Sequence, residues 1–139
     1  MYFQCTLILL VIMKTLLTLF VLLFSSSVVA EWIEVARGSD AVYYVDKDSI
    51  FKKNNNTIYI WQLENYFKPL DNGTLSYLVY NEILCDIQGT IAQTVEGFSN
   101  HWGKGESLIK YSAVEMYPNP KIYKKNTAGY LVMKYSCNL

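Results

Sequence analysis

The sequence predicts a mainly β domain that is built as an antiparallel meander. Short segments in which apolar and polar residues alternate recur along the chain, and turn-forming residues separate them. Tyr, Trp, Val, Ile and Thr, which favour strands, are frequent in these segments. A chain of 139 residues has room for one such domain, and no internal repeat interrupts the pattern.

The first part of the domain is predicted to be a β-hairpin. Residues 32–36 alternate between apolar and polar, and residues 41–45 form a second strand-like segment. Gly38, Ser39 and Asp40 between them are turn-forming residues. The two segments are therefore expected to pair as neighbouring antiparallel strands.

A polar turn and a long central strand follow the hairpin. Residues 46–49 are polar, and Ile50 and Phe51 are expected to return to the core. Residues 57–67 are rich in β-branched and aromatic side chains, which favours a strand. Because the first half of this strand is apolar on both faces, we place it in the middle of the sheet.

Three further segments bring the number of predicted strands to six. Residues 75–85, 90–98 and 107–116 have the composition of strands. Residues 99–106 contain two glycines and are expected to form a loop or a wide hairpin. The prolines of residues 117–120 prevent regular pairing there.

The C-terminal segment fits two structures. A stripe with helical spacing is formed by Ala128, Leu131, Val132 and Tyr135. Asn126 or Thr127 would cap such a helix. Every second residue from Leu131 to Cys137 is equally suited to one face of a strand, so periodicity alone does not choose between helix and strand.

The residue pattern at the N-terminus predicts an export signal. The segment is almost wholly apolar. Starting from Met13, it has a basic start, an apolar stretch at residues 15–24 and small residues before a cut after Ala30. We therefore predict a signal peptide at residues 1–30, with Met13 as the working start, and a mature domain at residues 31–139. An apolar run of this length could instead remain uncut as a membrane anchor.

Two cysteines remain in the predicted mature domain, Cys85 and Cys137, because Cys5 lies in the signal segment. An even pair in an exported chain favours a disulfide, and two buried free thiols are the alternative. A disulfide would close a loop of about 50 residues, which the chain-entropy relation values at about 4 kcal/mol.

Composition and motifs argue against several functional classes. Basic and acidic residues number 12 each, so no charge excess points to nucleic acid. His101 is the only histidine, and neither a nucleophile motif nor a set of four zinc ligands accompanies it. We therefore predict no enzymatic activity, no metal site and no cofactor.

The candidate partner-binding residues are lysines in predicted loops. They are Lys52, Lys53, Lys104, Lys121, Lys124 and Lys125. Such residues could form a basic patch for a polyanionic polymer, although solvating a surface is their ordinary role. The chain also has 12 tyrosines, which suit protein recognition, but most large aromatic side chains are expected to pack in the core or on sheet faces.

Several phrases, read in order, resemble the surface-adhesin protein E family of Gram-negative bacteria. They are Trp32-x-x-Val35, Tyr43-Tyr44-Val45-Asp46-x-x-Ser49-Ile50, Trp61, Asn65-Tyr66, Ser76, Glu82, Cys85-Asp86, Gly103-x-Gly105-Glu106 and Cys137. The Tyr44–Ile50 turn, taken with the two cysteines, is the most specific part. Residues 117–120 depart from the family pattern.

The resemblance implies an α+β fold that is mainly β. It consists of an antiparallel sheet of about six strands and a C-terminal helix, which a disulfide between Cys85 and Cys137 ties to the sheet. It also implies export to the cell envelope. The founding member of the family is a surface protein that binds host extracellular-matrix and serum proteins.

We predict an exported, adhesin-like binding protein of the periplasm or outer cell surface. Its exposed loops would contact host or envelope proteins or polymers. The expected partner is a protein or a polyanionic polymer and not a nucleic acid, the signal segment is the only membrane contact, and the chain could form a homodimer. The alternative is a periplasmic structural or inhibitory protein, which the absence of a lipid-attachment cysteine at the cut favours.

Overall fold

The computed structural model of the protein describes residues 13–14 and 30–139. The strands are Trp32–Arg37 (β1), Ala41–Asp46 (β2), Phe51–Lys52 (β3), Thr57–Tyr66 (β4), Ser76–Leu84 (β5), Gly89–Asn100 (β6), Lys104–Ser112 (β7) and Lys121–Ile122 (β8). The helices of the domain are Ala113–Met116 (α1) and Ala128–Cys137 (α2), and a 3-10 turn covers Lys47–Ser49. The mainly β class with a C-terminal helix is therefore confirmed.

All eight strands belong to one antiparallel sheet. The order β1-β2-β4-β5-β6-β7 forms its main path, and the two-residue strands β3 and β8 pair with β4 and β6. The main path contains the six strands that the sequence predicts, in chain order. Strand β4 lies inside the sheet as expected, and Ile60 and Leu63, which point to its opposite faces, are both fully buried.

Helix α2 packs on one face of the sheet, which we call the covered face. Val132 and Met133 of α2 join Val45, Ile60 and Ile83 of the sheet in one buried cluster. Full burial of such a side chain contributes about 1.5–3 kcal/mol, so this contact is a main source of stability.

Helix α1 covers the same face further along the sheet. Ala113 packs with Val79 of β5 and Val95 of β6. Val79 and Ile83 are four residues apart on β5 and therefore point to the same face. Over residues 30–139 no helix packs on the opposite face, which we call the open face.

The C-terminal segment is a helix although its sequence also fits a strand. Thr127 caps it, because its Oγ1 accepts a hydrogen bond from the Tyr130 N–H at 3.4 Å. Gly129 disfavours a helix by intrinsic propensity. Tertiary packing requires glycine here, because a Cβ at position 129 would lie 2.5 Å from both Cδ1 and Cζ of Tyr123.

The disulfide joins the residue after β5 to the last residue of α2. Cys85 and Cys137 are bonded, with their Cα atoms 5.8 Å apart. Both pack against the buried cluster under α2. The predicted pairing is confirmed, and the bond attaches the end of the helix to the sheet.

The expectation that Phe51 returns to the core is wrong. Its side chain is 59% exposed. Strand β3 pairs Phe51 with Tyr59 of β4, and Tyr59 points away from the core that Ile58 and Ile60 enter. Ile50, by contrast, packs against the core as expected.

Two predictions around β7 are also wrong. Residues 99–106 do not form a loop or wide hairpin, because β6 continues to Asn100 and β7 begins at Lys104. The turn can be this short because Trp102 and Gly103 adopt φ values of +64° and +63°. The predicted strand at residues 107–116 ends early, because the chain turns into α1 and buries Ala113 on the covered face.

The predicted signal peptide at residues 1–30 lies almost entirely outside the described residues, as does Cys5. The cut after Ala30 and the start at Met13 therefore stay predictions. Among the residues that the structure describes, no helix is long and apolar enough to cross a membrane.

Candidate partner-binding face

The open face carries a group of aromatic side chains from four strands and one turn. We call this group the open aromatic face, and its members are Tyr44, Phe51, Tyr59, Trp61, Tyr80 and Trp102. Alternation along β4 directs Tyr59 and Trp61 away from Ile58 and Ile60, which enter the core. The rings of the open aromatic face are half-buried or exposed.

Four of these rings form a row across three neighbouring strands. Phe51 lies opposite Tyr59, and Trp61 lies opposite Tyr80. The ring centroids are 6.2 Å and 5.0 Å apart in these two pairs, and Tyr59 and Tyr80 are 5.7 Å apart. Each such contact contributes about 0.5–1.5 kcal/mol, so the rings hold one another in place without a partner.

Trp102 extends the face at its other end. Its ring centroid lies 4.9 Å from that of Tyr44, and the residue is 46% exposed. Its left-handed backbone costs a bulky residue about 1–2 kcal/mol. The Trp102 N–H donates to Asn65 Oδ1 at 2.9 Å, and His101 Nε2 lies 2.7 Å from the Tyr66 carbonyl oxygen. Backbone strain at an exposed tryptophan that specific hydrogen bonds hold in place suggests that the ring is positioned to contact a partner.

Ser76 anchors the turn that carries Trp102. Its buried hydroxyl donates to the Asn100 carbonyl oxygen at 2.6 Å and accepts from the Gly103 N–H at 3.0 Å. A Cβ at Gly103 would lie 2.9 Å from Cδ1 of Leu78, so a side chain there would displace Leu78, and it would also be strained at a φ of +63°. The turn is therefore fixed against β5 by two hydrogen bonds and a close backbone approach.

Polar groups of both signs surround the row of rings. Lys53 Nζ lies 6.0 Å from the centroid of Tyr59, within range of a cation–π interaction. Glu82, opposite Tyr59, accepts a hydrogen bond from Gln93 Nε2 at 3.0 Å. Burial raises the pKa of the Tyr59 phenol and the hydrogen bond to Glu82 raises it further, so the phenol stays protonated at neutral pH.

The predicted partner-binding lysines do not gather into one patch. Lys52 and Lys53 lie at the end of the sheet where β4 begins. Lys104 pairs with Asn100 at the opposite end, roughly 30 Å away along the strands. Only Lys53 contacts a ring of the open aromatic face.

The remaining lysines lie near the segment that leads to α2. Lys121 is on β8, and its Nζ lies 5.0 Å from the centroid of Tyr123. Lys124 and Lys125 are exposed in the turn before the helix. A role of these lysines in binding therefore stays a prediction.

The sequence patterns indicate the lysines, and not the rings, as binding residues. The alternation of Tyr59 and Trp61 with Ile58 and Ile60 separates two faces, but it does not say which of them the helices cover. The position of Trp102 depends on the turn between β6 and β7, and the residues of that turn do not predict where the ring lies. Within the described residues, no cluster of His, Cys, Asp and Glu side chains is suited to hold a metal ion.

Comparison with known proteins gives a family and a fold. A family model described as surface-adhesin protein E matches residues 32–138. Among solved structures, the crystal structure of protein E from non-typeable Haemophilus influenzae is similar, with a TM-score of 0.53 and 14% sequence identity. The superposition covers 81% of this chain and 79% of that chain. At this identity the likeness concerns the fold alone. No curated protein sequence matches the chain.

Proposed function

This chain belongs to the surface-adhesin protein E family, and from that premise we propose that it is an exported envelope protein that binds a protein partner through its open aromatic face. The family is one of surface adhesins and not of enzymes. The observation that carries the proposal is the set of six rings on a sheet face without a helix over residues 30–139. A sheet face that meets water is ordinarily polar, and an aromatic one is a candidate for an interface.

The rings have the properties of residues that dominate binding energy. Tyr and Trp are enriched among side chains whose truncation costs an interface 2 kcal/mol or more. The ring contacts of Tyr80 with Trp61 and Tyr59 restrict the rings before binding. Less conformational entropy is therefore lost on association than for flexible side chains.

The surroundings of the rings favour a protein over a polyanion. Lys53 and Glu82 place opposite charges on either side of Tyr59. Such a mixture complements the mixed charges of a protein surface. A polyanion would require a cluster of cations, and Lys52 and Lys104 lie at opposite ends of the sheet. The contact surface is thus the sheet face with the Trp102 turn, rather than loops alone.

A binding assay with the purified, disulfide-bonded exported protein tests the proposal. Immobilised human serum proteins and a basement-membrane extract are the probes. We expect saturable binding at micromolar concentration or below that heparin does not compete away. Absence of binding by the folded protein would remove the proposal, and full competition by heparin would transfer the role to the lysines.

Protease treatment of intact cells tests the location. A protein on the outer surface is cleaved, and we expect this result. Protection in intact cells together with cleavage after outer-membrane permeabilisation would instead support the periplasmic structural or inhibitory role.

A further inference from the structure

A cavity of about 590 Å³ lies on the covered face, away from the open aromatic face. Strands β4, β5 and β6 form its floor, and the segment from Met116 to Tyr123 forms its wall. Its volume is in the range of small-molecule sites in proteins. The polar residues of the floor are Gln62, Glu64, Asn81 and Thr90.

The hydrogen bonds of the floor converge on the Glu64 carboxylate. Asn81 Nδ2 donates to Gln62 Oε1 at 3.1 Å, and Gln62 Nε2 donates to Glu64 Oε1 at 2.6 Å. The Tyr66 hydroxyl donates to Glu64 Oε2 at 2.9 Å. Each carboxylate oxygen thus accepts one hydrogen bond and keeps a further lone pair. The network orients Glu64 and leaves it able to accept another donor.

The Glu64 carboxyl group has no ion-pair partner among the described residues. Burial raises the pKa of Glu64, while the hydrogen bonds from Tyr66 and Gln62 and the charge of Lys121 lower it. In the described part of the chain, no cationic group lies within 4.0 Å of its carboxylate. A half-buried carboxylate is stabilised by a cation that also donates hydrogen bonds.

Thr90 supplies a second unsatisfied group in the same cavity. It is 7% exposed, and its Oγ1 has no hydrogen-bond partner. Leaving a buried hydroxyl unpaired costs about 1–3 kcal/mol. A ligand that donates to Thr90 Oγ1 or accepts from it would recover this free energy.

The wall of the cavity is suited to an apolar body. Met116 and Pro118 line it beside the rings of Tyr117 and Tyr123, and Val79 and Ala92 add apolar surface at the floor. Lys121 Nζ already lies over the Tyr123 ring at 5.0 Å from its centroid, which shows that this rim accommodates an ammonium group. A carboxyl group in the floor, an unpaired hydroxyl and an apolar wall are complementary to an alkylammonium ion, and a carboxylate on the ligand would lie unfavourably against Glu64.

We propose that this cavity binds a small molecule that carries a primary ammonium group on an apolar body, with the ammonium on Glu64 and the body against the wall. The probe is n-pentylamine, and n-pentanol and pentanoate, which have the same chain length, are its comparisons. The exported protein is titrated with each probe and followed by ¹⁵N–¹H NMR. We expect the amine to shift the amides of Glu64, Thr90 and Lys121 saturably, with the alcohol at least tenfold weaker and pentanoate inactive.

Variants locate the site. Glu64→Gln keeps the size of the side chain and is expected to weaken amine binding at least tenfold. Glu106→Gln, at an exposed position of β7 outside the cavity, is the matched control and should leave amine binding unchanged. Thr90→Val keeps the shape of the side chain, removes the hydroxyl and is expected to weaken amine binding about threefold. This variant tests the proposal independently if Glu64→Gln does not fold. Equal affinity for amine and alcohol, shifts spread over the whole surface, or no saturable binding would overturn the proposal.

Discussion

Trp102 occupies a backbone conformation that a free tryptophan residue avoids. Its φ of +64° is tolerated because Asn65 holds its N–H and the ring rests on Tyr44. Glu64 is unfavourable in another way, since this carboxyl group is half-buried in a cavity floor among neutral donors. The sequence predicts neither state, because both depend on residues that are distant along the chain.

Replacing Trp102 by Gly and by Ala separates backbone strain from the ring. Both variants lose the contact with Tyr44, but only glycine adopts the left-handed conformation without a steric cost. We expect Trp102→Gly to be more stable than Trp102→Ala by about 1 kcal/mol in urea unfolding. An alanine variant as stable as the glycine variant would show that the turn stores no strain.

The pH dependence of stability is a test of Glu64. Its folded-state pKa is raised above the unfolded value of about 4.3. Its contribution to stability is therefore fully present below that value and is lost as the pH rises through the folded-state pKa. Relative to Glu64→Gln, the unaltered protein should gain free energy of unfolding between pH 7 and pH 4.

Urea unfolding of the two proteins at several pH values measures this difference. The tyrosines that interact with Glu64 do not complicate the comparison, because their raised pKa values keep them neutral in this range. They are Tyr43, Tyr66, Tyr111 and Tyr123. A relative stability that is constant or falls on acidification would mean that Glu64 is not desolvated in solution.

At the scale of elements, sequence patterns found the strands but not their ends. Alternation and turn residues located the six strands of the main path. The end of β7 was missed because Ala113 is buried by a contact with Val79 and Val95, which lie far away in sequence. The choice between helix and strand at residues 126–137 came from the family resemblance, because the apolar pattern fits both.

Gly129 is expected to be essential for seating α2. Alanine would favour the helix by about 1 kcal/mol, but its Cβ would displace the Tyr123 ring. We expect Gly129→Ala to lower the free energy of unfolding by about 1–3 kcal/mol, as overpacking does. Lys134→Ala on the exposed side of α2 is the control and should change it by less than about 0.5 kcal/mol. If Gly129→Ala is more stable than the unaltered protein, the Tyr123 ring moves aside without a cost in free energy.

The disulfide is expected to hold α2 against the sheet. The residues it joins are 52 apart in sequence, and a loop of that length corresponds to about 4 kcal/mol. The double variant Cys85→Ser, Cys137→Ser should lose about 2–5 kcal/mol of unfolding free energy. Hydrogen exchange should accelerate more at the amides of α2 than at those of β4. Equal acceleration in both elements would refute a specific role in holding the helix.

At the scale of the whole molecule, the two faces of the sheet differ in what covers them. Helices α1 and α2 pack on the covered face, while the open face presents rings that contact one another. The sequence predicts an exported, disulfide-bonded sheet with a terminal helix. It does not predict this asymmetry, because the side on which a helix packs is a property of the folded chain.

Binding by variants of opposite faces tests the role of the open aromatic face most directly. Phe51→Ala combined with Trp102→Gly removes the most exposed ring at each end of it, and Tyr117→Ala removes a 66% exposed ring elsewhere. Affinity for the immobilised serum and matrix proteins is compared with that of the unaltered protein at equal fold content. We predict at least a thirtyfold loss for the double variant, which corresponds to about 2 kcal/mol, and no change for Tyr117→Ala. Unchanged binding by the double variant would contradict the assignment of the open aromatic face as the partner-binding surface.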